Sequence, residues 1–234
     1  SFSIDTASLA DGYWYGDESS NWFDCSNWGN LTVPDSNTNV FIGPATVTHQ
    51  PDVDDAATFS NDYDDLAETA NLKILSGSLS ASDSLDVISV HGDLFISDGA
   101  TLDLDNGTGA TLALFGDFID STNTGQGLLH TNSTLVLKGG GNHNFIPTDT
   151  PYTLHNLVAD KSGSGVFTLQ GPVLVENRFG LEHGIIATDP FNYLEIDSSG
   201  FILNFTLNAF SLADRGNENS FVDGPLRIRK PNGD

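Results

Sequence analysis

The chain has 234 residues, room for one large domain, and sets 32 acidic side chains against eight basic ones, a formal net charge of −24. Nucleic acid is therefore not an expected partner, because phosphate binding needs clustered Lys and Arg. No apolar run approaches the roughly 18 residues that would cross a bilayer, so membrane insertion is not expected either.

Residues 1–48 hold all three Trp (Trp14, Trp22, Trp28) together with Tyr13, Tyr15 and Phe23 between polar turn residues. Val33-Pro34 and a turn at Asp35-Ser36-Asn37 lead into a strand-like Asn39–Ile42. The reading is an aromatic N-terminal cap followed by a first strand. Such a cap either closes the end of a stack of strands, whose edges and apolar side chains would otherwise be open, or presents Trp14, Trp22 and Trp28 as a carbohydrate platform. Cys25 is the only cysteine, which rules out an intrachain disulfide. With no Met in the chain, residue 1 is not an initiator: a leader has been removed or the chain is part of something longer.

Residues 49–71 read as an acidic excursion, and Asp62–Leu72, with Leu66, Ala67 and Ala70, is the best helical stretch in the chain. From residue 72 onward, short alternating strands arrive about every ten residues with Gly-containing turns between them. His91-Gly92-Asp93 is answered 24 residues later by Phe115-Gly116-Asp117, and Thr111–Leu114 returns 23 residues later as Thr134–Leu137. Antiparallel hairpins need no such recurrence, whereas coils of two or three short strands do. The expected fold is all-β, a solenoid over residues 72–234 that continues past the chain end, with Leu112 and Leu135 in stacked apolar ladders.

Trp14 through Trp28, then Leu31–Pro34 and Asn39–Ile42, resemble the opening of very large Bacteroidota surface proteins. Leu135–Gly139, His155–Val158, Gly184–Ile186 and Ser220–Pro225 are similar to the strand-and-turn progression that follows there. The resemblance implies a right-handed parallel β-helix and a secreted, cell-surface adhesin exported by the type IX system, in some members serving gliding motility. It also implies O-glycosylation at an Asp-Ser/Thr motif, met here at Thr6, Ser84 and Ser121.

Hard cations such as Ca²⁺ take six to eight oxygens, so the Ca²⁺ candidates are Asp103 and Asp105 before the Asn106-Gly107 turn, and Asp52, Asp54, Asp62 and Asp64. None completes an EF-hand, and solvated turn acids explain them too. The six His show no zinc spacing. Parallel β-helices include polysaccharide lyases, but Lys73, Lys138, Lys161 and Arg178 are scattered along the chain, and no nucleophile motif or phosphate loop is present. The expected function is non-enzymatic: a surface segment that projects from the cell and contacts polysaccharide or abiotic surfaces, with the following domains of the same polypeptide as its other partner. The alternative is a carbohydrate-binding module of a secreted enzyme, with a polysaccharide lyase third. Four of the eight basic residues (Arg215, Arg227, Arg229, Lys230) lie in the last twenty and suit either docking onto an acidic neighbour or scattered surface charge.

Overall fold

In the computed structural model, residues 12–53, 66–81, 86–105, 109–123, 125–148, 151–163, 165–203 and 220–229 are described. They form a parallel β-solenoid whose coils stack three ladders of short strands. The first ladder runs Leu66–Thr69, Val87–Val90, Thr111–Leu114, Thr134–Leu137, the second half of Tyr152–Asp160, the middle of Val173–Ala187, and Phe201–Leu203. Its register puts Ala67, Ile88, Leu112, Leu135, Leu157 and Phe179 in one column. All six are buried.

The second ladder stacks Val40, Leu72, Leu94, Phe118, Phe145 and Leu169 in the same way. The Phe118 and Phe145 rings stack nearly parallel, their centres 4.4 Å apart. In the third, Leu79, Leu102 and Leu128 align, as do Leu154, Val175, Ile196 and Ile228 further along the rod. Gln126 links the two runs, accepting from the Thr153 N–H at 2.7 Å and donating to its carbonyl at 2.9 Å. A side-chain amide thus makes the bonds that a strand backbone would make.

The repeated Gly-Asp pair has a direct physical cause. A Cβ on Gly116 would run into the carbonyl of Gly92, and one on Gly92 into the Asn71 side chain and the Ala70 carbonyl. Coils can close to strand spacing at this corner only without a side chain. The residue after each Gly supplies the bond between coils. Asp93 N–H donates to Asn71 Oδ1 at 2.7 Å, Asp117 N–H to Asp93 Oδ1 at 2.9 Å, and Asn144 N–H to Asp117 Oδ1 at 2.8 Å.

Two sequence expectations need correction. Leu66–Thr69 is a strand rather than part of a helix, because Ala67 and Thr69 are buried in register with Ile88 and Val90. The coils accordingly begin before residue 72, and Asp52 is already bridged to Ser80 within the supposed excursion. Tyr152–Asp160 and Val173–Ala187 each run on through a corner as one long strand, so the spacing of short strands is lost there.

The Trp-bearing segment lies along the first coil. Phe41 N–H donates to Gly12 O at 2.9 Å and Trp14 N–H to Phe41 O at 3.1 Å, while Asp52 and Ser20 are joined at 2.7 Å. Asn27 organises the loop from its buried amide: Oδ1 accepts from the N–H groups of Glu18 and Ser19, and Nδ2 donates to Ser19 Oγ and Asn21 O.

Candidate functional site

At one corner of the solenoid, where the first ladder ends, each coil contributes a functional side chain. His91, Phe115 and Lys138 directly follow successive strands, Asp160 ends the next, and His183 lies at the corner within Val173–Ala187. A groove of about 540 Å³ opens there, lined by Phe115, Lys138, Asp160, Ser162 and His183. A bulge shapes its far end. Ala159 faces Leu181 but Asp160 faces His183, so Glu182 is the extra residue and both Glu182 and His183 meet one carboxylate.

Phe115 is half-buried and its ring is braced by His91, stacked at 4.9 Å and 9°. His91 Nε2 in turn sits 3.0 Å from Glu68 Oε1. Lys138 Nζ donates to Asp160 Oδ2 at 2.9 Å, and His183 Nδ1 is 3.0 Å from Asp160 Oδ1. Burial pushes the Asp160 carboxyl up, but the bonds and charges of Lys138 and His183 outweigh it and hold the group below the ordinary carboxylate value. Glu182 is pushed up, first by burial and then by the charge of Asp160. Asp160, Glu182 and His183 can each bring a ligand atom within 4.8 Å of the others. Among the described residues, no hydrogen bond joins Ser162 to His183.

Beneath the groove lies Lys161, fully buried, its Nζ donating to Lys138 O at 2.9 Å and lying 5.4 Å from the centre of the Phe167 ring. Gly184, at φ +88, leaves room for it; a Cβ there would meet the Lys161 side chain. Burial lowers the Lys161 pKa to about 8, opposed by the charge of Asp117. Below pH 8 the fold therefore carries the full cost of a desolvated ammonium. Between pH 8 and the unfolded value near 10.5 the native chain loses this proton first, so stability rises with pH across that window. The shift, discounted for screening, corresponds to about 2 kcal/mol. Lys161→Met is expected to be more stable than the wild type by about 1–2 kcal/mol at pH 7. The gap should close by about pH 10.5, as read from paired urea unfolding curves; a gap independent of pH would refute the assignment.

The residues singled out in the sequence are placed as follows. Trp14, Trp22 and Trp28 are at most 1% exposed and pack edge-to-face at 4.9 and 4.7 Å. Trp28 Nε1 donates to Trp22 O and Trp14 Nε1 to His49 O, both at 2.7 Å. No indole face is open for a sugar to stack on, which corrects the platform expectation for these three rings. Asp103 Oδ1 accepts from Asp105 N–H within its own turn at 2.9 Å. Asp52 and Asp103 share a column but are separated by Ser80, two coil steps or about 9.6 Å, and do not converge. Asp54, Asp62, Asp64, Thr6 and Ser84 lie outside the described residues. Ser121 Oγ donates to Ile96 O at 3.0 Å, and its neighbours Asp120 and Thr122 are buried.

His143 and His155 turn to separate carboxylates, Asp117 at 3.6 Å and Glu176 at 3.9 Å. Arg229 pairs with Glu195 at 2.8 Å, and Arg227 lies over the Tyr193 ring at 3.4 Å, so both are engaged by the preceding coil. Arg215 and Lys230 are outside the described residues. Sequence reasoning missed the groove, although its members recur at the coil period already visible in Thr111–Leu114 and Thr134–Leu137. No helix among the described residues is long and apolar enough to cross a membrane. Comparison with family models, curated proteins and solved structures finds no match to this chain.

Proposed function

We propose that this chain is a non-enzymatic, secreted cell-surface segment of a bacterial adhesin. On this reading the rod projects from the cell and contacts polysaccharide or abiotic surfaces. The observation that carries it is the in-register stacking of coils along the described residues, in which even the polar repeat of Asn71, Asp93 and Asp117 serves coil-to-coil bonding. A solenoid of this kind is rigid by construction, each coil held by its neighbours. On the same reading the Trp cluster, buried against the first coil, serves as its cap, and the acidic surface keeps neighbouring rods apart. Display on a type IX-exported polypeptide, and a part in gliding, belong to the same proposal.

The carbohydrate-binding alternative gains support from the corner groove, which puts an aromatic ring beside paired polar groups. Beads coated with the protein should be retained under flow on polysaccharide-coated or bare glass, above the level of albumin-coated beads. Retention no better than albumin would sink the adhesive reading. Retention and melting unchanged by EDTA would remove Ca²⁺ from it.

A further inference from the structure

We infer that the corner groove between Phe115 and His183 is a binding subsite for a neutral glycan, laid along the rod axis. This rests on the proposed contact with polysaccharide and names where and how that contact is made.

Shape comes first. Phe115, Lys138, Asp160 and His183 come from four successive coils, three steps of about 4.8 Å, so the groove is a trough of about 14 Å parallel to the axis. Its volume of about 540 Å³ lies in the usual range for small-ligand sites. A trough of that length suits roughly two to three pyranose rings end to end rather than a compact metabolite. Gly163, at φ +66, lines it without a side chain, and an ideal Cβ there meets nothing within 4 Å. The mouth is therefore open at that point.

Chemistry comes second. A pyranose presents one face of C–H groups and a rim of hydroxyls. The half-buried Phe115 ring, held parallel to the His91 ring of the preceding coil, gives the groove an apolar wall for the first. Lys138, Asp160 and His183 offer the second a row of donors and acceptors whose directions are already set by their mutual bonds of 2.9 and 3.0 Å. Oriented polar groups lose little freedom on binding, and the Ser162 hydroxyl adds a group that can both donate and accept.

Charge comes third. The Lys138 ammonium and the His183 ring are both turned to the Asp160 carboxylate, with the Glu182 carboxyl beside it, which leaves no unengaged cation to hold an acidic sugar. The −24 background repels polyanions over a longer range. A neutral ring is the class that this balance accepts.

The test titrates the ¹⁵N-labelled protein with cellotriose, laminaritriose and maltotriose, and with trigalacturonate as the charged comparison. At least one neutral trisaccharide should shift the amides around Phe115, Gly139 and Ser162. Phe115→Ala and Asp160→Asn should each weaken that binding at least about tenfold, with the melting transition retained. Asp160→Asn keeps the side-chain shape, so it remains informative if Phe115→Ala fails to fold. Wild-type affinity in Asp160→Asn, or tighter binding of trigalacturonate, would overturn the inference. If no trisaccharide binds while coated beads still hold to polysaccharide, the groove assignment fails and the adhesive reading stands. Loss of both would remove the two together.

Discussion

Leu112→Asp is expected to abolish cooperative folding. Leu112 is fully buried between Ile88 and Leu135, in register on both sides. Removing its side chain alone costs about 3–5 kcal/mol where the site cannot collapse. A carboxylate left there must also be desolvated without a partner or be forced to protonate, which adds several kcal/mol more. The sum is at least about 5 kcal/mol, comparable with the whole stability of an ordinary domain. Because each coil is supported only by its neighbours, damage in the middle of the rod also separates the two halves. Thr111→Asp is the matched control. Thr111 points outward and is half-buried, so it should cost less than about 1 kcal/mol. The pair tests register as well as burial, since a one-residue slip would exchange the two outcomes. Circular dichroism melts and limited chymotrypsin digestion read the result. A Leu112→Asp protein melting within a few degrees of wild type would mean that this column is not the core.

These strands were the most legible part of the molecule, for a physical reason. Thr111–Leu114 and Thr134–Leu137 both put their two Leu inward and recur at the coil period, so local pattern and long-range repeat agree. Leu66–Thr69 lacked that agreement. Leu66, Ala67 and Ala70 suit one face of a helix, and only the neighbouring Val87–Val90 decides for a strand. The Trp cluster was half legible. Aromatic density suits a buried plug and an exposed platform equally, and the buried Asn27 amide that folds the loop inward carries no sequence signature. The groove was legible only in principle. Phe115, Lys138, Asp160 and His183 are strangers in sequence and become neighbours once the coil period is extended past residue 138, and the bulge at Glu182 breaks even that count.

Asp120 carries the second large prediction. In sequence it heads an Asp-Ser-Thr motif at a turn. In the fold it occupies the inward column of Ile42, Ile74 and Ile96, and it is 1% exposed. Restoring the column with Asp120→Ile should nonetheless destabilise the protein. Asp120 Oδ2 accepts from Tyr152 Oη at 2.6 Å and Gly127 N–H at 2.8 Å, and Oδ1 accepts from Thr122 N–H at 3.0 Å and Thr122 Oγ1 at 2.7 Å. Isoleucine leaves the two amides without this acceptor in a buried site, at about 1–3 kcal/mol for each, and takes the charged partner from the phenol at about 1–2 kcal/mol more. Thr122 Oγ1 loses less, since it also lies 2.7 Å from Gly125 O. The apolar gain offsets part of this, and a net loss of about 4 kcal/mol is expected in urea unfolding at neutral pH. Tyr152→Phe in the wild type should destabilise by about 1–2 kcal/mol more than the same change made beside Asp120→Ile, where the bond to the carboxylate is already gone. That difference is the decisive measurement. If Tyr152→Phe destabilises equally in both backgrounds, the phenol and the carboxylate are not coupled, and Asp120 is not the tie between this coil and the next.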